Sequence, residues 1–373
     1  MKFSCEKAQL LSAITVTSKV ASSKSAVPAL EGLLLEAEGT LLKISGYDLK
    51  TGIKTEVPAE VTVTGAIVLN ARLLGEIIRR LPDDVVLFVV NEDNMATIVC
   101  GPSEFHILGT PASDYPELPS VDAQNAIYIP QATLKRMIAG TLFAVSDNES
   151  RPVHTGSLFE LEANVLTIVS VDGYRLALRR ERLEEKAHMS DCSFVVPGNA
   201  LNEVEKIASD SEELIQLTLG SKHILFAIGD TVVISRRLEG EFLNYRQAIP
   251  QGNKLQLTVD KRALIDAVER VSLIISEKLK SPVRCVFSDG KVRLFTTTAL
   301  GKATDECLIV GDGNELEIGF NNKYLLDALK AAPADRVTIS LGTSVSPCVL
   351  WPEDEGESFT YLVLPVRLKA SDS

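Results

Sequence analysis

Residues Gly32 to Asp48 read GLLLEAEGTLLKISGYD, and residues Gly156 to Asp172 read GSLFELEANVLTIVSVD. The second stretch lies 124 positions after the first and aligns without a gap, placing Glu36, Glu38, Leu42, Ile44 and Asp48 on Glu160, Glu162, Leu166, Ile168 and Asp172. Self-similarity at a fixed period marks a repeated structural unit. A further 126 positions put Cys285, Phe287, Val292 and Leu294 in the places of Leu35, Ala37, Leu42 and Ile44, around an Asp289-Gly290 pair that reads as a hairpin signal. Alternation such as Leu42 and Ile44 against Lys43 and Ser45 is the pattern of half-buried antiparallel strands.

The helical patterns keep the same period, so the repeat is a whole domain. Lys7, Gln131 and Lys261 open matching amphipathic runs, with Leu264, Val268, Val271 and Ile275 at helical spacing in the third copy and Leu134, Met137, Ile138 and Val145 in the second. A later set matches Leu73, Leu74 and Ile77 with Ala200, Leu201 and Val204, then with Leu325, Leu326 and Leu329, each run preceded by Asn or Gly as a helix start prefers. Two helices per domain and three domains in 373 residues follow. The pattern breaks into turn formers around Tyr115-Pro116-Glu117-Leu118-Pro119 and Ile249-Pro250-Gln251-Gly252-Asn253, which reads as two joins.

No apolar run is long enough for a membrane helix, and Met1-Lys2-Phe3 leads straight into a strand pattern, so a cytosolic protein is expected. The six cysteines contain no CxxC and no close pair, which favours reduced, mostly buried thiols over a zinc site or disulfide framework. The chain shows no GxSxG, Walker A, GxGxxG or HExxH pattern, its four histidines are scattered, and Gly311-Asp312-Gly313-Asn314 reads as a turn because the other ligands of a calcium loop are missing. An enzyme with a dispersed site is the alternative of a different class. A repetitive β-rich adhesion protein is a third.

The formal net charge of −12 by itself argues against a nucleic-acid binder, but the six helical segments sum to +5 and the remainder to −17. Helices gathered on one side would give a curved shell with a mildly positive concave face and an acidic outside. The competing explanation is ordinary solubilising charge on helix polar faces.

Three stretches carry a family resemblance: Ser150-Arg151-Pro152-Val153-His154-Thr155-Gly156, Val171-Asp172-Gly173-Tyr174-Arg175-Leu176-Ala177, and Tyr361-Leu362-Val363-Leu364-Pro365-Val366-Arg367-Leu368. With the threefold repeat, they make the chain from Met1 to Leu368 resemble the bacterial β sliding clamps, the DNA polymerase III β subunits that act as processivity factors. The resemblance implies an α+β fold of three tandem similar clamp domains, each with two helices packed on antiparallel sheets. They would span residues 1–122, 123–250 and 251–373, the last carrying a C-terminal partner-binding segment. It further implies a head-to-tail homodimer closing into a six-domain ring around double-stranded DNA, non-catalytic and without cofactor or metal. The implied partners are the replicative polymerase, the clamp loader and other replication and repair proteins carrying a clamp-binding linear motif; no membrane is implied.

Candidates for weak, sequence-independent DNA contact are Lys24, Arg72, Arg79, Arg80, Lys135, Arg136, Asn148, Lys206 and Lys323. Lys24 and Asn148 come from the resemblance and the others from the helix faces. Tight phosphate contacts would add salt dependence and friction, so a modest positive lining suits a protein that slides. The resemblance places a groove for the motif, which has a Gln and spaced hydrophobic residues, between His154, Val171, Gly173, Tyr174, Arg175 and Leu176 on one wall and Leu243, Gln247 and Ala248 on the linker side. Leu279, Asn321, Tyr324, Val345 and Pro347 extend the third-domain wall, and Leu362, Val363, Leu364, Pro365, Val366, Arg367 and Leu368 form the floor. His154 stands where an aliphatic residue is common and Tyr174 where a histidine is common, and Lys369 to Ser373 follow the floor. For the subunit contact, Phe105 and Ile107 are expected to meet Leu273 and Ile274 of a second copy, which would remove two exposed sheet edges.

Overall fold

The computed structural model describes residues 1–22, 24–121, 126–183, 191–276, 281–353 and 358–368. Its helices are α1 (Lys7–Thr17), α2 (Ala71–Arg80), α3 (Gln131–Leu142), α4 (Gly198–Ile207), the single-turn α5 (Tyr245–Ala248), α6 (Lys261–Ser272) and α7 (Asn322–Ala331). Lys7, Gln131 and Lys261 are each the first residue of a helix, as their period predicts. The Asn70 side chain accepts from Leu73 N at 3.0 Å and the Asn321 side chain from Lys323 N at 3.0 Å, so the asparagines are N-caps that satisfy otherwise unpaired helix donors. Asp260 does the same for α6, accepting from Ala263 N at 2.7 Å. The helix over 131–142 stops short of Val145, because the chain tightens there into Ala144 N to Thr141 O and Val145 N to Leu142 O bonds.

The chain divides into two compact units. The first comprises Met1–Ala132 with Asn199–Arg237. It holds a five-stranded antiparallel sheet in the order Glu60–Val63, Lys2–Glu6, Val85–Val90, Met95–Cys100, Ser103–Leu108. An eight-stranded antiparallel sheet runs Ala126–Pro130, Leu214–Leu219, His223–Ile228, Thr231–Arg236, Thr51–Pro58, Leu41–Tyr47, Gly32–Glu38, Gly65–Asn70. Leu10 and Ile14 of α1 and Leu74 and Ile78 of α2 are buried in a core with Phe3, Phe88, Leu42 and Ile44, which is the apolar stripe that the helical spacing requires. Leu73, read from the sequence with that stripe, is 47% exposed.

The second unit comprises Thr133–Glu185, Ser190–Gly198 and Leu238–Ser373. Its ten-stranded antiparallel sheet has the order Cys192–Pro197, Gly156–Glu162, Val165–Val171, Arg175–Arg182, Phe359–Val363, Cys348–Pro352, Arg336–Leu341, Leu255–Asp260, Gly301–Phe320, Val283–Thr298. Leu264, Val268 and Val271 of α6 and Leu325 and Leu329 of α7 are buried against it, and Ile275 packs on the same core.

The repeated stretches that open the sequence form matching hairpins. Glu38 pairs with Leu41 across Gly39-Thr40, and Glu162 pairs with Val165 across Ala163-Asn164, whose φ values of 48° and 64° make a two-residue primed turn. In the third copy the strand Val283–Thr298 runs through Asp289-Gly290, where the ladder shifts register on both sides of Asp289 and Gly290 takes φ 72°. Asn314 and Glu315 adopt φ 52° and 54°, and Asp312 Oδ1 accepts from Asn314 N at 2.8 Å, so Gly311 to Asn314, expected as a turn, is instead an irregular stretch within the strand Gly301–Phe320, Asp312 pairing with Asp289. The six cysteines are free thiols, and burial pushes the Cys5 thiol up to about 11 and the Cys348 thiol up to about 12.

Candidate partner-binding groove

The groove is built where the strand Arg175–Arg182 pairs with Phe359–Val363 in the second unit, Arg175 opposite Val363 and Leu176 opposite Leu362. Strand residues alternate between faces. Leu176 and Leu362 therefore join Val171, Val153, Tyr245 and Val349 in one apolar cluster, against which Phe242, Ala248, Ile249, Trp351 and Leu364 are partly buried. Val363, placed in the groove floor from the sequence, is fully buried and faces the opposite way, into the core under α6 and α7. Period-two alternation is what separates it from its neighbour Leu362.

Beyond Val363 the chain continues as a strap. Leu364 N donates to Tyr174 O at 2.8 Å, and Val366 N donates to Gly319 O at 2.8 Å. A Cβ on Gly319 would lie 2.5 Å from Leu368 Cδ2, so this glycine lets the strap lie flat on the sheet. Pro365 and Val366 are partly buried and Arg367 is exposed.

Arg175 shares the face of Val363. Its side chain is 8% exposed; Nε donates to Asp172 Oδ2 at 2.9 Å and Nη1 donates to Asp327 Oδ2 of α7 at 2.5 Å. The guanidinium also lies 4.6 Å from the Tyr324 ring centroid and 5.5 Å from that of Phe143. A buried cation with two carboxylates and two aromatic faces is a staple between the turn and α7. Tyr174, at the tip of that turn, is 61% exposed and stacks on Tyr324 at 5.9 Å. Gly173 beside it takes φ 91°, a conformation that favours glycine. Asn321 is committed to capping α7, and Val345 stands exposed, with Pro347 O accepting from Asn253 Nδ2 at 3.5 Å. Leu279 and Lys369 to Ser373 lie outside the described residues.

The linker wall is anchored by a polar latch that the sequence did not reveal. Tyr245 is buried, its hydroxyl donates to Glu160 Oε2 at 2.5 Å, and Arg246 Nη2 donates to Glu160 Oε2 at 3.0 Å and Glu162 Oε2 at 3.1 Å. Burial and the neighbouring Glu160 push the Tyr245 pKa up to about 12. Both glutamates belong to the repeated stretch, but the first copy's buried tyrosine, Tyr115, donates to Ser45 O instead. Leu243 and Gln247 are exposed, and a cavity of about 480 Å³ lies between residues 151–154 and 239–244. His154 sits on its rim with its ring edge-on to Phe242 at 5.5 Å, and burial with the nearby Arg151 holds its pKa below the ordinary 6.5.

The candidate DNA-facing residues are dispersed over both units. Arg72, Arg79 and Arg80 are exposed on α2, but Arg79 and Arg80 both pair with Glu76, whose carboxyl is held below its usual range by them. Lys206 Nζ pairs with Glu203 at 2.9 Å on α4. Arg136 Nη2 donates to Thr133 Oγ1 at 3.4 Å, Lys135 is partly buried, and Lys24, Asn148 and Lys323 are exposed. Local pairing thus engages some of these cations with carboxylates of their own helices, which the formal helical sum already includes.

For the subunit contact, Phe105 and Ile107 lie on the outermost strand of the five-stranded sheet, Phe105 exposed and Ile107 packed inward on the core. Leu273, after α6, is 84% exposed, while Ile274 is partly buried. Leu108, Leu300 and Leu308 are also more than 70% exposed.

Three family models cover nearly the whole chain: the N-terminal domain of the DNA polymerase III beta subunit matches residues 1–119, its central domain 128–244 and its C-terminal domain 246–367. The beta sliding clamp of Staphylococcus epidermidis is 32% identical over 377 residues, covering 98% of this chain and 99% of that protein. A crystal structure of a putative DNA polymerase III beta subunit from Eubacterium rectale superposes with a TM-score of 0.92 at 32% identity, covering 99% of this chain and all of the other. The DNA polymerase sliding clamp of Bacillus subtilis superposes with a TM-score of 0.93 at 30% identity and 99% coverage. Repeated hairpins, capped helix pairs, a strapped groove and end-to-end similarity agree, and the chain belongs to the DNA polymerase III beta subunit family, the beta sliding clamps.

Proposed function

We propose that this chain is a non-catalytic sliding clamp that tethers a replicative polymerase to duplex DNA. Two copies close head to tail, the edge bearing Phe105 and Ile107 against the surface bearing Leu273 and Ile274. Each chain contributes three domains, over 1–122, 123–250 and 251–373. Lys24, Arg72, Arg79, Arg80, Lys135, Arg136, Asn148, Lys206 and Lys323 face the enclosed DNA and hold it weakly, without reading bases. The observation that carries the reading is the groove: an apolar floor at Leu176, Leu362 and Leu364, rimmed by His154, Tyr174 and Leu243, on a chain that matches the family from end to end. An apolar pocket with few polar groups suits hydrophobic anchors of a short peptide segment.

The partners are then the replicative polymerase, the clamp loader and other proteins carrying such a segment, acting in the cytoplasm. No described helix is long and apolar enough to cross a membrane.

The test is retention of loaded protein on circular against linear duplex, with light scattering for mass. Retention on circles with release on linearisation, and a mass near twice 40.4 kDa, are expected. A monomer at micromolar concentration would overturn the ring, and Phe105→Asp should produce one.

A further inference from the structure

One end of the eight-stranded sheet in the first unit gathers cations. The strand Thr231–Arg236 pairs with Thr51–Pro58, Ser235 opposite Thr51, and with His223–Ile228, Arg236 opposite His223. Arg236 N donates to Lys50 O at 3.0 Å and Arg237 N donates to Lys222 O at 2.9 Å, so the turns before Thr51 and before His223 meet the end of the strand between them. Lys50, Lys222 and Arg236 are exposed, and Arg237 is fixed by donating from Nη1 to Gly220 O at 3.2 Å and Ser221 O at 3.4 Å. Among the described residues none of these four cations forms an ion pair. Segments 48–50, 220–223 and 236–237 hold one carboxylate, Asp48, and its Oδ1 is turned onto the backbone, accepting from Lys50 N at 2.8 Å and Thr51 N at 2.6 Å. Burial, then Arg236 and Lys222, hold the His223 pKa below the ordinary 6.5, which registers the local excess of positive charge.

The second unit builds the same turn without these side chains. There Asp172 Oδ1 accepts from Tyr174 N at 2.9 Å and Arg175 N at 3.0 Å, and Leu364 N donates to Tyr174 O as Arg236 N does to Lys50 O. Gly173 takes φ 91° at the position where the first turn holds Leu49 at φ 71°. A branched side chain in the left-handed region is unfavourable, and Leu49 is 52% exposed, so little burial offsets it. Lys50 and Arg236 continue the ladder as neighbours of like charge, which is a second unfavourable choice. Residues that strain the backbone and repel one another without gain inside the fold mark a surface kept for contact.

We propose that the turn at Leu49 and Lys50, with Lys222, Arg236 and Arg237, is a docking surface for an acidic protein segment that carries an apolar side chain, Leu49 meeting the apolar residue and the cations its carboxylates. Cations set around one exposed apolar side chain match a peptide that alternates the two kinds of residue, and on a chain of net charge −12 such a patch steers an acidic partner to one place. Nucleic acid fits less well, because segments 48–50, 220–223 and 236–237 carry no Phe, Tyr or Trp for a base to stack on and Leu49 would stand against phosphate. The surface lies wholly within the first unit and the groove residues within the second, so the two sites are separate.

The experiment titrates a fluorescein-labelled peptide of alternating glutamate and leucine against the full chain and the variants Leu49→Gly, Lys50→Gln and Arg236→Glu. The wild type should bind it, with affinity falling about tenfold between about 50 and about 200 mM salt, and should not bind the same peptide with lysine in place of glutamate. Affinity should fall about threefold for Leu49→Gly, about fivefold for Lys50→Gln and at least about tenfold for Arg236→Glu. The thermal midpoint of each variant should stay at or above that of the wild type, because each substitution relieves strain or repulsion, and a merely structural role would lower it. An unlabelled peptide carrying a glutamine followed by spaced leucine and phenylalanine should leave the acidic peptide bound. A wild type that does not bind, variants that all bind within about twofold of it, or displacement by the glutamine peptide would each overturn the proposal while leaving the groove reading in place. Tighter binding of a single-stranded or duplex oligonucleotide, weakened by the same variants, would overturn it in favour of nucleic acid.

Discussion

The turn at Asp48 in the first unit and the turn at Asp172 in the second are the same backbone, held by the same two amide donors on one carboxylate, yet they lead to different surfaces. After Asp172 comes Arg175, whose buried guanidinium ties the turn to Asp327 and Tyr324 of α7. After Asp48 comes Thr51, a small buried residue with no such reach. The strand beyond the second turn is followed by Leu364, partly buried and apolar, whereas its counterpart Arg236 is exposed and leads to Arg237, which donates to the carbonyls of Gly220 and Ser221. Repetition therefore preserves the residues that shape backbone, and the residues that make a binding surface are the ones that do not repeat.

The largest effect that would test this contrast is the loss of the staple. Arg175→Ala leaves Asp172 and Asp327 as uncompensated carboxylates and should destabilise the second unit by about 3–5 kcal/mol, while Thr51→Ala should cost about 1 kcal/mol or less. Denaturation followed by fluorescence of Trp351, which packs at the margin of the groove cluster, reads this directly. Similar losses from both variants would erase the difference between the two turns. Next in size, Leu118→Ala should cost about 2 kcal/mol by leaving a cavity over Gly52 and beside Tyr47, with affinity for a groove-directed peptide unchanged, as a calorimetric melt and a titration of that peptide would show.

Leu364→Ala should weaken binding of the groove-directed peptide by about 1–3 kcal/mol, and Arg236→Ala, its counterpart, should leave that binding as it is. The smallest effect concerns His154. Its pKa is held below 6.5 by burial first and by Arg151 second, so the neutral ring is the form the pocket favours. Binding should be complete above that pH and weaken as the pH falls through it, by about threefold between pH 8 and pH 5.5, because a proton must be carried into an apolar contact. His154→Leu should flatten the profile, and an unchanged profile would place the titrating group elsewhere.

Much of the fold was legible because it rests on local chemistry. The hairpins repeat as Glu-x-Glu followed by Leu-x-Ile, the helices start at Lys7, Gln131 and Lys261, and Asn70 and Asn321 announce their own caps. Leu73 and Val363 show the limit. Both are apolar and in register with buried neighbours, yet one is exposed and the other faces away from the groove, because a single residue's face depends on the exact phase of its element. The Tyr245–Glu160–Arg246 latch was likewise invisible, since Glu160 lies more than 80 residues from Tyr245 and Arg246 and nothing in either segment records the other.

The sequence by itself determined the threefold repeat, the β-α order within it and the reduced thiols, which follow from periodicity, caps and composition, and pointed to the family through the resemblance of three short stretches. Only the tertiary structure decided which of two equivalent turns is tied down by a buried guanidinium, which charges on α2 and α4 are already paired, and which side of the sheet Val363 occupies. Those outcomes depend on volume and distance between segments far apart in the chain: Leu118 over Gly52, Arg175 against Asp327, Tyr245 on Glu160. Local propensity is written residue by residue, whereas complementarity exists only between surfaces that folding has brought together.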